Sequence, residues 1–427
     1  MTASSSVDVA AGEPRTDPKP VVAVNNLRVH FQVKAGVVEA VDGVNFELLE
    51  GETLGLVGET GCGKSVTARS FLGLVPSPPA LPPQGTIDYR HRNGGGVVDL
   101  LTLDSEAMGD IRGNHIAMIF QDPGKALNPA LTVRDQLGEV FLIHRSADVL
   151  EGAGFGADDT GLGASLIRRA ARLKSGIIER LLLALPPLRN RRNRLRASAD
   201  RLIMEALADT QIPNPANILD RYPHELSGGM KQRVMIAQAL ACNPDVLIAD
   251  EPTTALDVTV QARIIELISQ LQRRHNTSVL YISHDLSLVR RVCDRIAVMY
   301  AGRIVEIGPA DQLFARPKHP YTRGLLAAIP SLASRAGELE AIEGTVPELI
   351  DPEPGCRFAD RCRHSTEMCL SAEPNLVDVD VGHAVSCFAY APITGSDQTP
   401  PTVADPAPAA ASPSPAPARA TDDRTAS

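Results

Sequence analysis

No apolar run in this 427-residue chain comes close to the roughly 18–20 residues that a bilayer-crossing helix needs. The first stretch, Met1 to Pro20, lacks the basic-then-apolar pattern of a secretory signal. These two absences place the chain in the cytosol, so any role at a membrane has to come through partners. An excess of positive charge is missing too. The formal net charge is −9, so charge does not favour broad nucleic-acid binding, and no nucleic-acid partner is expected. Seven cysteines are present, but none form the tight pairs usual in zinc sites. In a cytosolic chain they argue against disulfides and towards metal binding or reactivity. There is no internal repeat.

What is there is ordinary globular composition, 44% apolar and 22% charged, on a chain long enough for two or three domains. Residues 1–20 are small, polar and proline-containing and read as a disordered leader. Short apolar runs follow at Val22–Val24, Leu27–Phe31 and Val44–Leu48, with strand character. Leu54–Val57 reads as a buried strand that leads into a glycine loop. A helix is expected from about Ser65 to Val75, ended by Pro76, Pro78 and Pro79. A second is expected from Leu226, with Met230, Val234, Ala237 and Ala241 on one face and a stop at Asn243-Pro244. Strands recur at Val246–Ala249 and Val279–Ser283. Alternating strand and helix predicts an α/β fold with a mainly parallel sheet covered on both faces. The Pro/Ala/Ser-rich end, about 391–427, reads as a disordered tail.

Five motifs stand in order along this frame. Gly58-Glu59-Thr60-Gly61-Cys62-Gly63-Lys64-Ser65 fits the phosphate-binding loop, with a strand before it and a helix, opening through Val66, after it. Its glycines let backbone N–H groups converge on phosphate oxygens. Lys64 would reach the β- and γ-phosphates and Ser65 would bind Mg²⁺. Asp250 closes a buried apolar strand, where a carboxylate is costly unless it meets a cation. It is read as a second Mg²⁺ contact. Glu251 follows, placed to polarise water for attack on the γ-phosphate. Gln121 in Phe120-Gln-Asp-Pro, and His284 just past a strand, gain meaning only in this company. The fifth motif is Leu226-Ser227-Gly228-Gly229-Met230-Lys231-Gln232.

This last run resembles the signature of ATP-binding-cassette ATPases. The phosphate loop, Gln121, Asp250-Glu251, Ala255-Leu-Asp257 and His284 are similar to that superfamily's Walker A, Q-loop, Walker B, D-loop and H-loop. The resemblance covers roughly residues 21–328. It implies a P-loop NTPase with a RecA-like, mainly parallel core, an antiparallel β subdomain and a helical subdomain at about 122–228, all within residues 21–325. It also implies ATP and Mg²⁺ held between two subunits arranged head to tail. Ser227, Gly228 and Gly229, with Gln232 and Asp257, would then serve a nucleotide held by the opposite subunit. Gln121 would contribute to Mg²⁺ binding, and His284 would hold the γ-phosphate and the attacking water. Phe31 is the residue expected to stack on adenine.

Cys356, Cys362, Cys369 and Cys387 follow the spacing C-x5-C-x6-C-x17-C. Four thiolates suit zinc or an iron–sulfur cluster, and the spacing alone leaves zinc, a cluster and four unliganded thiols open. His319-Pro-Tyr-Thr322 and Gly355–Cys362 resemble the C-terminal extension of oligopeptide/dipeptide importer ATPases, expected here at 326–390. Gln121-Asp-Pro, Leu127-Asn-Pro129 and Tyr222–Met230 are similar to the same subfamily. The resemblance implies a 4Fe-4S cluster on those four cysteines. It also implies a second ATPase subunit (a paralogue or a second copy), two transmembrane permeases, an extracytoplasmic binding protein and a place on the cytoplasmic face of the membrane. The architecture equally serves nickel, glutathione and sugar importers. A soluble cassette ATPase working on DNA or ribosomes is the reading from another class.

The chain departs from the subfamily in a basic insertion at about 147–199. Residues 168–196 hold ten Lys/Arg and a single acid, Glu179. Helical spacing runs through Ile167–Lys174 and Ile177–Leu185, up to Pro186-Pro187. The first reading is a solvated helical excursion. A contact with anionic lipid headgroups is the second, and an unknown protein partner the third.

Overall fold

The computed structural model describes residues 19–92, 94, 96–155, 186–254, 257–329 and 342–390. The expected leader up to residue 18, the insertion helices at Ile167–Lys174 and Ile177–Leu185, Ala255-Leu256 and the tail from 391 lie outside the described residues. So does most of the 168–196 stretch named as a lipid contact.

Two sheets carry the fold. In the first, β1 (Pro20–Val33) pairs antiparallel with β2 (Gly36–Leu49) on one side and β4 (Gln84–Arg90) on the other, and β5 (Val97–Asp99) adds to β4. The two runs at Val22–Val24 and Leu27–Phe31 are one strand. Its register shifts between Val24 and Leu27, where Asn26 sits at φ 48°. The bulge lets Val22, Val24, Leu27 and Val29 all face the core.

The second sheet has eight strands in the order β11-β12-β10-β9-β3-β8-β7-β6. β6 (Ile116–Ile119), β7 (Val246–Asp250), β8 (Ser278–Ser283), β3 (Thr53–Val57) and β9 (Arg295–Tyr300) run parallel. β3, β6, β7 and β8 are buried along their whole length, which accounts for their near-continuous apolar sequences. β10 (Arg303–Pro309), β12 (His383–Val385) and β11 (Val377–Asp380) extend this sheet in antiparallel fashion. The cysteine-containing extension is therefore built onto the edge of the central sheet. Because β3, β6, β7 and β8 run the same way, their carboxyl ends meet at one edge, where ligands of open α/β sheets bind.

Helix α1 (Lys64–Ser70) follows β3. It stops short of the expected Val75. Gly73 takes φ 56°, its N–H donates to Ser70 O and the Leu74 N–H to Arg69 O. This pair of bonds closes the helix at a left-handed glycine before the prolines are reached.

A separate helical unit has its own core. Helices α2 (Val133–His144), α3 (Ser146–Gly152), α4 (Pro186–Asp209) and α5 (Gly228–Leu240) bury Leu137, Phe141, Leu150, Ile203, Leu207 and Val234 together. The expected end of the basic insertion at 199 falls inside α4, so its last part is the first half of a helix that packs in this unit. α5 ends at Leu240, ahead of Asn243-Pro244 as expected. No helix among the described residues is long and apolar enough to cross a membrane.

Candidate nucleotide site

The loop between β3 and α1 is shaped by three glycines at positive φ: Gly58 (152°), Gly61 (85°) and Gly63 (102°). A Cβ on Gly58 would stand 2.0 Å from the Met299 carbonyl oxygen, and one on Gly63 would stand 2.3 Å from that of Ala40. Backbone approaches this close admit only glycine. Thr60 and Gly61 form the exposed tip, while Val66 packs on the core. Lys64 is buried, and its Nζ donates to the carbonyls of Gly58 (2.7 Å) and Glu59 (2.8 Å). The ammonium is thus folded back over the space its loop encloses. Cys62 lies beside it, Sγ 3.5 Å from Nζ, with its thiol pKa pushed up by burial.

At the end of β7, Asp250 is 3% exposed and accepts a 3.0 Å hydrogen bond from Ser65 Oγ. Burial raises its pKa, against the lowering effect of Ser65 and Arg69. Glu251 adopts φ 47°, a backbone conformation strained for a non-glycine residue. That geometry turns its carboxylate to three donors from separate elements. Gln121 Nε2 lies 2.8 Å from one oxygen, Thr254 Oγ1 2.9 Å from the same oxygen, and His284 Nδ1 3.1 Å from the other. Burial raises the Glu251 pKa, but the His284 and Thr254 hydrogen bonds and the charges of His284 and Lys64 outweigh it, so the pKa is lowered overall. An ionised carboxylate at this point can take up a proton from water, and the Ser65–Asp250 pair offers oxygen ligands suited to Mg²⁺.

The structure does not bring the signature residues to this loop. Ser227 and Gly228 are exposed, Gly229 is half-buried, and among the described residues no hydrogen bond or ion pair joins them to Gly58–Ser65. Ser227 instead caps α5, its side chain accepting from Met230 N–H at 3.3 Å. Gln232 is 1% exposed, and its side-chain nitrogen has no protein partner. It does not share the exposed surface of Ser227. Asp257 accepts from Val260 N–H at 3.0 Å and opens the helix Val258–His275. Phe31 packs on the β-subdomain core opposite Val38, two residues along β2 from the Ala40 carbonyl that backs Gly63.

Cys356, Cys362, Cys369 and Cys387 line one pocket with His319 and Phe358. The Cys356 N–H donates to Cys369 O at 2.7 Å. Burial pushes the thiols of Cys356 and Cys387 up to about 12 and about 11, so a thiolate here needs a cation. The one set of three or more ligand atoms within 4.8 Å of one another, among the described residues, is His30, Glu39 and Asp42. Arg28, Arg303 and Arg357 already meet the two carboxylates of that set. The cysteine sulfurs are therefore spread more widely than the about 3.8 Å edge of a tetrahedral zinc–thiolate site. Cys293 is buried, as expected for a lone cysteine, whereas Cys242 is only partly so.

Sequence reasoning missed the contacts that tie this segment to the phosphate loop. Arg361, next to Cys362, grips both oxygens of Glu59 at 2.7 and 3.0 Å. The Tyr321 hydroxyl accepts from the Glu59 N–H at 2.9 Å. Arg357, next to Cys356, pairs with Glu39 and Asp42 of β2. The only sequence signal was the placing of two arginines beside two cysteines.

The parallel sheet, the glycine loop and the acids at its carboxyl edge define a nucleotide-binding ATPase of the P-loop type. The chain belongs to the ABC transporter family: the family model so described matches residues 41–254. A second model, described as oligopeptide/dipeptide transporter, C-terminal region, matches residues 305–369. The chain is 42% identical over 368 residues to the dipeptide transport ATP-binding protein DppD of Bacillus subtilis, covering 86% of this chain and 94% of the relative. It is 41% identical to the probable peptide ABC transporter ATP-binding protein y4tR of Sinorhizobium fredii (88% and 97% covered). It is 40% identical to the oligopeptide transport ATP-binding protein AppD of B. subtilis (87% and 97% covered).

Proposed function

We propose that this chain is the ATP-hydrolysing subunit of an importer for di- or oligopeptides. The observation that carries the peptide reading is its similarity, along at least 86% of its length, to relatives named for dipeptide, oligopeptide and peptide transport. The C-terminal model match supports it. The proposed roles follow the geometry. Lys64 leaves the Gly58 and Glu59 carbonyls to bind the β- and γ-phosphates. Ser65 and Asp250, with Gln121, hold Mg²⁺, and Glu251 draws a proton from the attacking water while His284 fixes its orientation. Phe31 stacks on adenine. Ser227, Gly228, Gly229 and Asp257 complete the site of a partner ATPase subunit, because in their own chain they stand apart from the loop. ATP would then join two subunits and hydrolysis release them, a cycle able to drive two permeases fed by an extracytoplasmic binding protein at the cytoplasmic face of the membrane.

The four cysteines fit a 4Fe-4S cluster better than zinc, because their sulfurs stand too far apart for one ion and a cluster needs more room. Its chemistry when bound would be structural or one-electron redox. The stretch 168–196 is proposed to touch anionic headgroups, tested by co-sedimentation with anionic vesicles at low and high salt.

The deciding experiment reconstitutes the chain with its permeases in vesicles and measures uptake of a labelled dipeptide, a labelled pentapeptide, nickel, glutathione and a disaccharide. ATP-dependent peptide uptake alone supports the reading. Uptake of another cargo in its place overturns the peptide assignment and leaves the ATPase intact.

A further inference from the structure

The phosphate loop contains a carboxylate in a place built to attract anions. Glu59 is the second residue of the loop, and its side chain is 29% exposed. Left free, its charge would oppose a triphosphate bound to the same loop. It is not free. Arg361 reaches it from the C-terminal extension, 302 residues away, with two hydrogen bonds of 2.7 and 3.0 Å, one to each oxygen. This bidentate fork is the strong form of ion pair.

The arginine is itself immobilised. Its side chain is 6% exposed. Nε donates to Glu343 O at 2.9 Å and a terminal nitrogen to the Tyr300 hydroxyl at 3.3 Å. The guanidinium carbon lies 5.7 Å from the Tyr300 ring centre and 5.9 Å from that of Phe358. A side chain fixed on so many sides loses little entropy in holding Glu59.

Glu59 is thereby held at three points. Its carboxylate takes Arg361, its N–H takes the Tyr321 hydroxyl, and its carbonyl takes Lys64. Lys64 must leave that carbonyl to reach phosphate. The other two holds come from the C-terminal part of the chain and do not depend on Lys64, so they keep the loop in shape when the lysine departs. On the opposite side Arg357 pairs with Glu39 and Asp42, flanking the Ala40 carbonyl on which Gly63 rests.

We propose that Arg361 is a positioning residue for the nucleotide. It neutralises Glu59 and fixes the phosphate loop, so the C-terminal extension sets the affinity of the site for ATP. The proposal rests on the ATPase fold and site, not on the identity of the cargo.

The test uses the full chain and ATP. Arg361→Gln keeps much of the stem and hydrogen-bonding capacity but removes the charge. The expected result is a rise of about tenfold in the KM for ATP with kcat changed less than about threefold. Adding Glu59→Gln to that variant removes the unpaired carboxylate and returns KM to within about threefold of the starting value, while Arg361→Lys loses less affinity than Arg361→Gln. An unchanged KM in Arg361→Gln, or a double variant no better than the single, overturns the proposal. If Arg361→Gln does not fold, Glu59→Gln alone gives the reading in reverse. The freed guanidinium then lowers KM and makes it rise more steeply with salt, and an unchanged KM overturns the proposal.

Discussion

The Ser65 hydroxyl donates a 3.0 Å hydrogen bond to Oδ1 of Asp250 across 185 residues of sequence, bringing together the first turn of α1 and the last residue of β7. The pair shares one task. Each offers an oxygen to a divalent cation, and each partly satisfies the other until that cation arrives.

Asp250 carries a consequence for stability. Burial raises its pKa despite the Ser65 bond and the Arg69 charge. The folded state therefore holds this proton more tightly than the unfolded chain does, and stability falls as pH rises through the folded pKa. At neutral pH the ionised form is a burden on the fold. Asp250→Asn is expected to raise the melting temperature of the nucleotide-free protein by a few degrees (on the order of 2–4 °C), read by calorimetry. The same change should abolish the stabilisation given by Mg²⁺-ATP and reduce turnover by roughly 10²-fold or more. A nucleotide-free protein that melts lower would contradict the strain assigned to this carboxylate.

Glu251→Gln keeps the shape of the side chain and its contacts with Gln121, Thr254 and His284, but removes the base. Phosphate release should fall by roughly 10²–10⁴-fold. ATP binding should persist, so the ATP-bound two-subunit form accumulates on size-exclusion chromatography. Near-normal turnover in this variant would sink the assignment. Since the Glu251 pKa is lowered, by His284 and Thr254 against burial, loss of this base in acid should set in below the ordinary glutamate range.

His319 predicts where the fold becomes sensitive to acid. It is buried, and its Nδ1 accepts from the Tyr321 N–H at 3.1 Å at the start of the helix Pro320–Ala327. Burial lowers its pKa to about 4, against the attraction of Glu306 and with the repulsion of Arg323. The unfolded chain takes up this proton first, so stability is lost as pH falls from the ordinary histidine value near 6.5 towards 4. Urea unfolding at pH 7 and pH 5 should show that loss. His319→Asn, which retains a capping oxygen, should flatten it. An equal loss in the variant would place the acid sensitivity elsewhere.

The cysteine pocket makes a compositional prediction. Protein purified without oxygen should carry about four irons and four acid-labile sulfides per chain and absorb in the visible. Cys362→Ser should lose iron without losing the phosphate loop. One zinc per chain, with no sulfide, would refute the cluster.

Much of the nucleotide site was legible because its chemistry is local. Gly58 to Ser65 is one contiguous run whose backbone makes the site, and Asp250-Glu251 terminates a strand that any apolar pattern reveals. Ser227 reads as a helix cap for the same reason. Other features were not legible because they depend on what the chain meets later. The break at Asn26 that merges two runs into β1 is set by pairing with β2 and β4. α1 ends at a single glycine, Gly73, which the following prolines concealed. Gln232 sits within a recognisable motif, yet helix packing turns it inward. Arg361 and Glu59 are ordinary charged residues until two distant segments fold against each other. β11 and β12 are four and three residues long, too short for periodicity to show.

The antiparallel continuation of the central sheet also protects the chain from self-templating. β12 hydrogen-bonds to β10 through the pairs Glu306–Val385 and Ile307–Ala384, covering the open side of a strand that contains Ile304, Val305 and Ile307. Without residues 377–385 that side would present unpaired N–H and C=O groups beside apolar side chains, the arrangement that recruits strands from other molecules. A chain cut before them would thus gain a sticky rim. Part of the work of the cysteine-bearing segment is to keep neighbouring copies from joining edge to edge in the wrong way.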